Sequence, residues 1–211
     1  MHDVAVAPDT SRRKNRLTLI ALFLVFVAPV ALAYLAVLGY GFTPGVTNKG
    51  TLLSPPPNLA ELKLEPLAGG SGAAVPERRW RLMYVNGTEC AAACEHNLYT
   101  LHQVWTALGK EQDRVDPVFV SLRPESLATA LATVKPAFAQ LAWTKAAGLT
   151  PELAQRLHFD ASAAVGRLYI VDPQGAIPLT YDLSSEARES AAIGKRILKD
   201  LNHLLKLSNI G

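Results

Sequence analysis

Leu17 to Leu38 carries no charged side chain over 22 residues, and nothing else limits the fold of this chain as strongly. As a helix at about 1.5 Å per residue the run spans roughly 33 Å, enough to cross the roughly 30 Å hydrocarbon core of a bilayer once. Pro29 falls inside it, which a lipid-embedded helix tolerates better than a soluble one. Arg12, Arg13, Lys14 and Arg16 stand just before the run, and no comparable basic cluster follows. That asymmetry keeps the N-terminus in the cytoplasm and exports everything after about Gly41. The expected organisation is a disordered tail at 1–16, a transmembrane helix at 17–40, a linker and approach segment at 41–79 and one domain at 80–211. A cleaved signal peptide is the competing reading. Ala31-Leu32-Ala33 fits its small-x-small pattern, although the run exceeds an ordinary signal h-region.

Net charge is +3, and residues 1–40 hold four basic and two acidic side chains, which leaves +1 on the remainder. So neutral a body gives no electrostatic case for nucleic acid. The roughly 170 residues beyond the helix suffice for one core and are too few for two ordinary domains. In a bacterium the exported side is the oxidising periplasm, where paired cysteines can form a disulfide.

Cys90 and Cys94 are the only cysteines. On a helix they would lie one turn apart on one face. At that separation they can form a disulfide or clamp one soft metal ion. The alternative fate is two buried small apolar side chains.

Between the membrane run and the domain, Pro44, Pro55-Pro56-Pro57 and Gly69-Gly70-Ser71-Gly72 punctuate the chain. The triple proline favours a stiff extended spacer. Leu59, Leu62, Leu64 and Leu67 fit an edge strand or an amphipathic turn equally well. Trp80 to Asn86 is rich in β-formers and reads as a strand. Gly87-Thr88-Glu89 reads as a turn, and a helix from about Cys90 to Leu108 carries Leu98, Leu101, His102 and Trp105 at helical spacing before Gly109 closes it. Val118–Leu122 is a second strand. A helix follows from Pro124 to about Ala132, and Pro136 interrupts what comes next. Thr150 caps another short helix, with Pro151 at its first position. Arg167–Asp172 and Ala176–Tyr181 form an antiparallel hairpin across Pro173-Gln174-Gly175, and Pro178 marks a sheet edge. Ser184 and Ser185 can cap a last helix running to about Leu207.

A βαβ half followed by ββα gives the α/β fold class: a thioredoxin-like domain with a mixed central sheet and flanking helices, preceded by one transmembrane helix. In that fold the cysteine pair follows the first central strand and opens the first helix. Helix N-terminal amides there favour the thiolate of Cys90.

With those motifs in place the chain resembles the Sco, or SenC, proteins, especially short membrane proteins associated with cytochrome c oxidase genes in proteobacteria. The resemblance rests on the anchor, the Cys-x-x-x-Cys after a Trp-starting strand, Val118-Phe119-Val120-Ser121-Leu122-Arg123-Pro124-Glu125, and Leu168-Tyr169-Ile170-Val171-Asp172-Pro173-Gln174-Gly175. It implies a bacterial inner-membrane location, a cytochrome c oxidase subunit or copper-assembly protein as partner, and copper as the metal handled. Two departures matter. Glu95 stands where the family has a proline after the second cysteine, and Ala164 occupies the place of the third copper ligand, a histidine. The transferable ligands are therefore Cys90 and Cys94, with His158 the nearest substitute in sequence. His96 would point away from the pair on a regular helix, and His102 falls on the interior stripe.

Three functions remain open at this level. One is thiol–disulfide exchange in oxidase assembly, with Cys90 as nucleophile and Cys94 as resolving thiol. Another is carriage of copper(I) between two thiolates. The last is a silent anchored interaction module stapled by its disulfide, a reading weakened because so short a closed loop restrains the unfolded chain only modestly.

Overall fold

The computed structural model describes residues 10–39, 48–67, 78–126, 138 and 140–208. The glycine run at 69–72, Pro44, Pro136 and most of the helix expected from Pro124 lie outside the described residues. The chain divides into two compact units, Met1–Thr47 and Asn48–Gly211.

The described part of the first unit is a helix, α1 (Thr10–Gly39), with Pro29 inside it. Its segment Lys14–Leu35 is long and apolar enough to cross a membrane. Leu19, Phe23, Phe26 and Leu32 are exposed, an arrangement that water penalises and lipid does not. Part of the expected tail is helical: the helix begins at Thr10 and so includes the basic cluster.

Among the described residues, the second unit is built on one seven-stranded sheet. Its strands are β1 (Thr51–Leu52), β2 (Leu64–Pro66), β3 (Trp80–Asn86), β4 (Val115–Ser121), β5 (Ala142–Ala146), β6 (Arg167–Val171) and β7 (Leu179–Asp182), in the spatial order β1-β7-β6-β3-β4-β5-β2. β3 pairs parallel with β4 and antiparallel with β6, and β4 pairs parallel with β5. The inner block β7-β6-β3-β4 is the thioredoxin-like arrangement expected from the element order. All seven residues of β3 are buried, because both of its faces are covered. Leu82 and Tyr84 join one core, and Met83 and Val85 join the other.

The two cores divide the helices. α2 (Ala92–Thr106) and α4 (Ala187–Leu207) share one face through Leu98, Leu101, Ile197 and Leu201. The short α3 (Pro151–Arg156) covers the other through Leu153, with Leu157 just beyond it. Its start is the predicted one: the Thr150 side chain accepts from the Leu153 amide at 3.2 Å, with Pro151 in the first turn.

Several boundaries differ from expectation. Residues 48–67 add both edge strands, so this stretch is built into the sheet. The prolines are no spacer, since the Pro57 carbonyl accepts from Ile177 N–H at 2.9 Å. The leucines at 59–67 do both things left open for them: Leu59–Leu62 is a 3-10 turn and Leu64–Pro66 an edge strand. β5 has no counterpart among the expected elements. Pro178 precedes β7 and does not mark the edge, because β1 pairs outside it. Glu186, not a serine, is the N-cap of α4, while Ser184 Oγ accepts from the Glu186 amide at 3.0 Å.

Candidate functional site

β3 ends at Asn86, and the chain turns through Gly87, Thr88 and Glu89 into Cys90. Asn86 is fully buried and its amide donates to the Thr88 carbonyl at 2.8 Å, which fixes this turn. Gly87 is required there, because a Cβ would run into the Ala161 backbone. That close approach brings the loop between α3 and β6 against the cysteine turn.

Cys90 and Cys94 are joined by a disulfide, with Cα atoms 5.0 Å apart. A regular helix holds residues i and i+4 at about 6.2 Å, so the bonded pair is closer than a helical turn allows. Consistent with that, the helix does not begin at Cys90. Ala91 is the N-cap, in extended conformation. Cys90 therefore precedes the helix, and Cys94 is its third residue. Both sulfurs still sit at the start of α2, and Ala91 offers no side chain to cap the first-turn amides, which remain able to stabilise negative charge. Cys90 is 6% exposed and Cys94 1%.

The other candidates are dispersed. His158 is exposed, in left-handed conformation (φ 52°), just past α3 and so on the element covering the sheet face opposite the disulfide. The structure does not bring it to the pair. Ala164 is exposed on the loop that touches Gly87. On that loop the Ser162 hydroxyl and amide hold the Asp160 carboxyl below the usual carboxylate range. His96 lines a groove between α2 and α4, away from the sulfurs. His102 packs edge-on against Phe138, ring centroids 4.2 Å apart. Among the described residues, no three of His, Cys, Asp or Glu form a group able to hold a metal ion.

Sequence reasoning missed two buried polar positions on this face of the sheet. One is Tyr84 with Asn97, both fully buried. Burial pushes the Tyr84 phenol well above its usual pKa, opposed by smaller effects from the Asn97 side chain and the Gly166 backbone. The other is Asp200, discussed below. Both were detectable as polar residues interrupting apolar helical stripes: Asn97 within Cys94-Leu98-Leu101, and Asp200 within Ile193-Ile197-Leu201-Leu204.

A family model described as "Transmembrane-like, thioredoxin-like, C-terminal domain" matches residues 80–208. The chain belongs to this family. Its matched stretch begins at β3 and runs through α4, so it contains the disulfide and the whole thioredoxin-like block. No curated protein matches the chain. Solved structures similar to it include Sco proteins. Apo Sco1 of Thermus thermophilus is 21% identical with a TM-score of 0.48, over 77% of this chain and 99% of that one. Copper-bound ScoI of Arabidopsis thaliana is 17% identical with a TM-score of 0.43, over 60% and 86%. BsSco, described as having a disulfide switch and as a member of the Sco family of cytochrome c oxidase assembly proteins, is 16% identical with a TM-score of 0.40, over 62% and 82%.

Proposed function

We propose that this chain is a membrane-anchored periplasmic thiol–disulfide exchange protein acting in cytochrome c oxidase assembly in the bacterial inner membrane. The observation that carries this reading is the Cys90–Cys94 disulfide at the start of α2, directly after the central strand. The oxidase context is what the resemblance to Sco proteins implies, and the orientation follows from the basic residues before Leu17.

The exchange runs in two balanced steps. A partner thiolate attacks Cys90 Sγ, forming a mixed disulfide and releasing Cys94 as a thiolate. The partner's second thiolate then attacks its own sulfur in that mixed disulfide and releases Cys90. The partner leaves oxidised and this chain keeps both electrons. Trapping of the mixed disulfide tests this reading and opens the Discussion. Orientation has a separate test. Alkaline phosphatase fused after Gly211 is expected to be active, while a fluorescent protein that matures only in the cytoplasm stays dark at the same place. The reverse pattern would remove both the location and the oxidising environment.

Copper(I) as cargo is a second reading, favoured by the loop of Ala164 running against the cysteine turn. The donors present do not make a three-ligand site. The sulfurs are bonded to each other, and no third donor is grouped with them among the described residues. Reduction would supply two thiolates, which suit a cuprous ion, whereas a cupric ion prefers nitrogen and oxygen in a tetragonal set. The reduced full-length chain in detergent is therefore expected to bind copper(I) at most, and Ala164→His is expected to add cupric binding, read as a thiolate-to-copper absorption band. Tight cupric binding by the unmodified chain, lost in His158→Ala, would show that His158 serves as the missing ligand.

A further inference from the structure

The groove between α2 and α4 has a volume of about 330 Å³, at the lower end of the roughly 300–1,000 Å³ range of small-ligand pockets. Its walls are mostly apolar, with Val104 and Ala107 on α2 facing Ala191 and Leu198 on α4. Along α4 it extends from Ser190 to Leu198, eight steps of about 1.5 Å, or roughly 12 Å. Spread over that length, 330 Å³ leaves a mean cross-section of about 27 Å². A helix with its side chains is about 10–12 Å across and would need roughly 80–110 Å². The groove is a slot for an unbranched chain, too narrow to take a helix. Gly194 belongs to it and lies inside α4, where glycine is among the poorest helix formers and alanine the best. Nothing steric demands glycine there. A Cβ would come to 3.4 Å from Val104 Cγ2 and 3.7 Å from Thr100 Cγ2, ordinary contact distances. Stability alone therefore favours alanine at 194, and glycine keeps the slot deeper.

Hydrogen-bond accounting gives the charge of the occupant. Three polar side chains of the slot are already satisfied. Gln103 Nε2 donates to the Tyr99 hydroxyl at 2.6 Å, Thr100 Oγ1 to the His96 carbonyl at 3.2 Å, and Ser190 Oγ to the Ser184 carbonyl at 3.0 Å. Two groups are left over. Lys195 makes no ion pair among the described residues. His96 Nε2 is shielded from water and has no hydrogen-bond partner among the described residues. No carboxylate is among the described residues that line the slot. An apolar slot holding an unpaired cation complements an apolar anion. We propose that it binds a free medium-chain fatty acid, the tail lying between Val104, Ala107, Ala191 and Leu198 and the carboxylate pairing with Lys195. This site is separate from the cysteine pair and does not depend on exchange there.

The test is photolabelling of the full-length chain in detergent with decanoic acid carrying a diazirine on its tail, the labelled peptides being mapped by mass spectrometry. Label is expected on α2 and α4 at the slot, and excess decanoate is expected to displace it. Label on the apolar α1, which any acyl chain can reach in a micelle, should resist that competition and serves as the internal reference. Methyl decanoate, which lacks the charge, is expected to compete about tenfold less well, and Lys195→Glu to weaken slot labelling by about tenfold. A phosphatidylglycerol with the same tails should not compete, because two chains exceed the slot. Ala191→Phe, at an exposed position of the wall, should abolish slot labelling while α1 labels as before. Gly194→Ala should raise the thermal midpoint and weaken slot labelling together. Slot labelling unchanged in Ala191→Phe, or label confined to α1, would overturn the proposal. Equal competition by the methyl ester or by the phospholipid would overturn the free acid as occupant. Capture of a second copy of this chain by a photoreactive residue in place of Tyr99, with no label from the acid, would assign the face to self-association and overturn it as well.

Discussion

Cys94→Ser is expected to accumulate a mixed disulfide through Cys90, and Cys90→Ser to accumulate little through Cys94, on the order of tenfold less. The asymmetry follows from placement. Cys90 precedes the N-cap and keeps 6% of its surface exposed, whereas Cys94 is inside the first turn of α2 at 1%. An attacking thiolate needs an approach along the S–S axis, and the less buried of the two cysteines gives one more readily. Unpaired Cys90 also lies beside the uncapped helix start, which favours its thiolate. Glu95, in the first turn of the same helix, places a carboxylate near that end and so moderates the effect. The serine variants remain testable because the disulfide closes a very short loop, for which chain entropy gives about 2 kcal/mol. Glutathione adducts counted by mass spectrometry on each full-length variant provide the measurement. Equal trapping at both positions would void the assignment of roles. Thiols that react only in denaturant would instead favour two buried cysteines that merely hold the turn.

The elements legible in the sequence are those with local chemistry. Trp80–Asn86 is recovered at both ends because an apolar β-branched and aromatic run stops at a buried asparagine and a required glycine. Thr150-Pro151 marks the start of α3 by capping alone. The hairpin of β6 and β7 was readable from Pro173-Gln174-Gly175, where Gly175 takes a positive φ of 89°. What escaped depends on distant partners. β1 is two residues long and exists only by pairing with β7. Ala142–Ala146 has a neutral composition, and its strand conformation comes from the parallel ladder with β4. The start of α2 was misplaced by two residues because alanines favour helix throughout Ala91-Ala92-Ala93, while the bond to Cys94 draws Cys90 closer than a helical turn. Within the candidate site the cysteines were visible in the sequence. The approach of Ala161 to Gly87 and the burial of Asn97 were not, since each depends on residues far apart in the chain or on the packing of a whole face.

The same limit concealed Asp200, whose removal carries the second large expected effect. Asp200 is 3% exposed on α4. Its Oδ2 accepts from the Lys49 amide at 2.6 Å, the Gly50 amide at 2.9 Å and the Tyr181 hydroxyl at 2.8 Å. One carboxylate oxygen thus ties the first described residues of the second unit to α4 and to β7. Gly50 fits there because a Cβ would meet the Tyr181 ring at 2.6 Å. Burial pushes the Tyr181 phenol far above its usual pKa, and the Asp200 hydrogen bond and charge push it further; the phenol therefore stays protonated and donating across the neutral range. Asp200→Ala would strand three donors, one of them the hydroxyl of a buried tyrosine. At about 1 kcal/mol or more for each stranded donor, the loss is roughly 3 kcal/mol, or about 6–12 °C in thermal midpoint for a chain of this size. The damage should begin locally: β1, held by β7 and by this carboxylate, is expected to become the first site cut by protease. Asp200→Asn keeps an acceptor but turns an N–H toward donors, and its loss should fall in between. A midpoint within about 2 °C of wild type, with the region around Thr51 still protected, would show that pairing with β7 alone holds the segment.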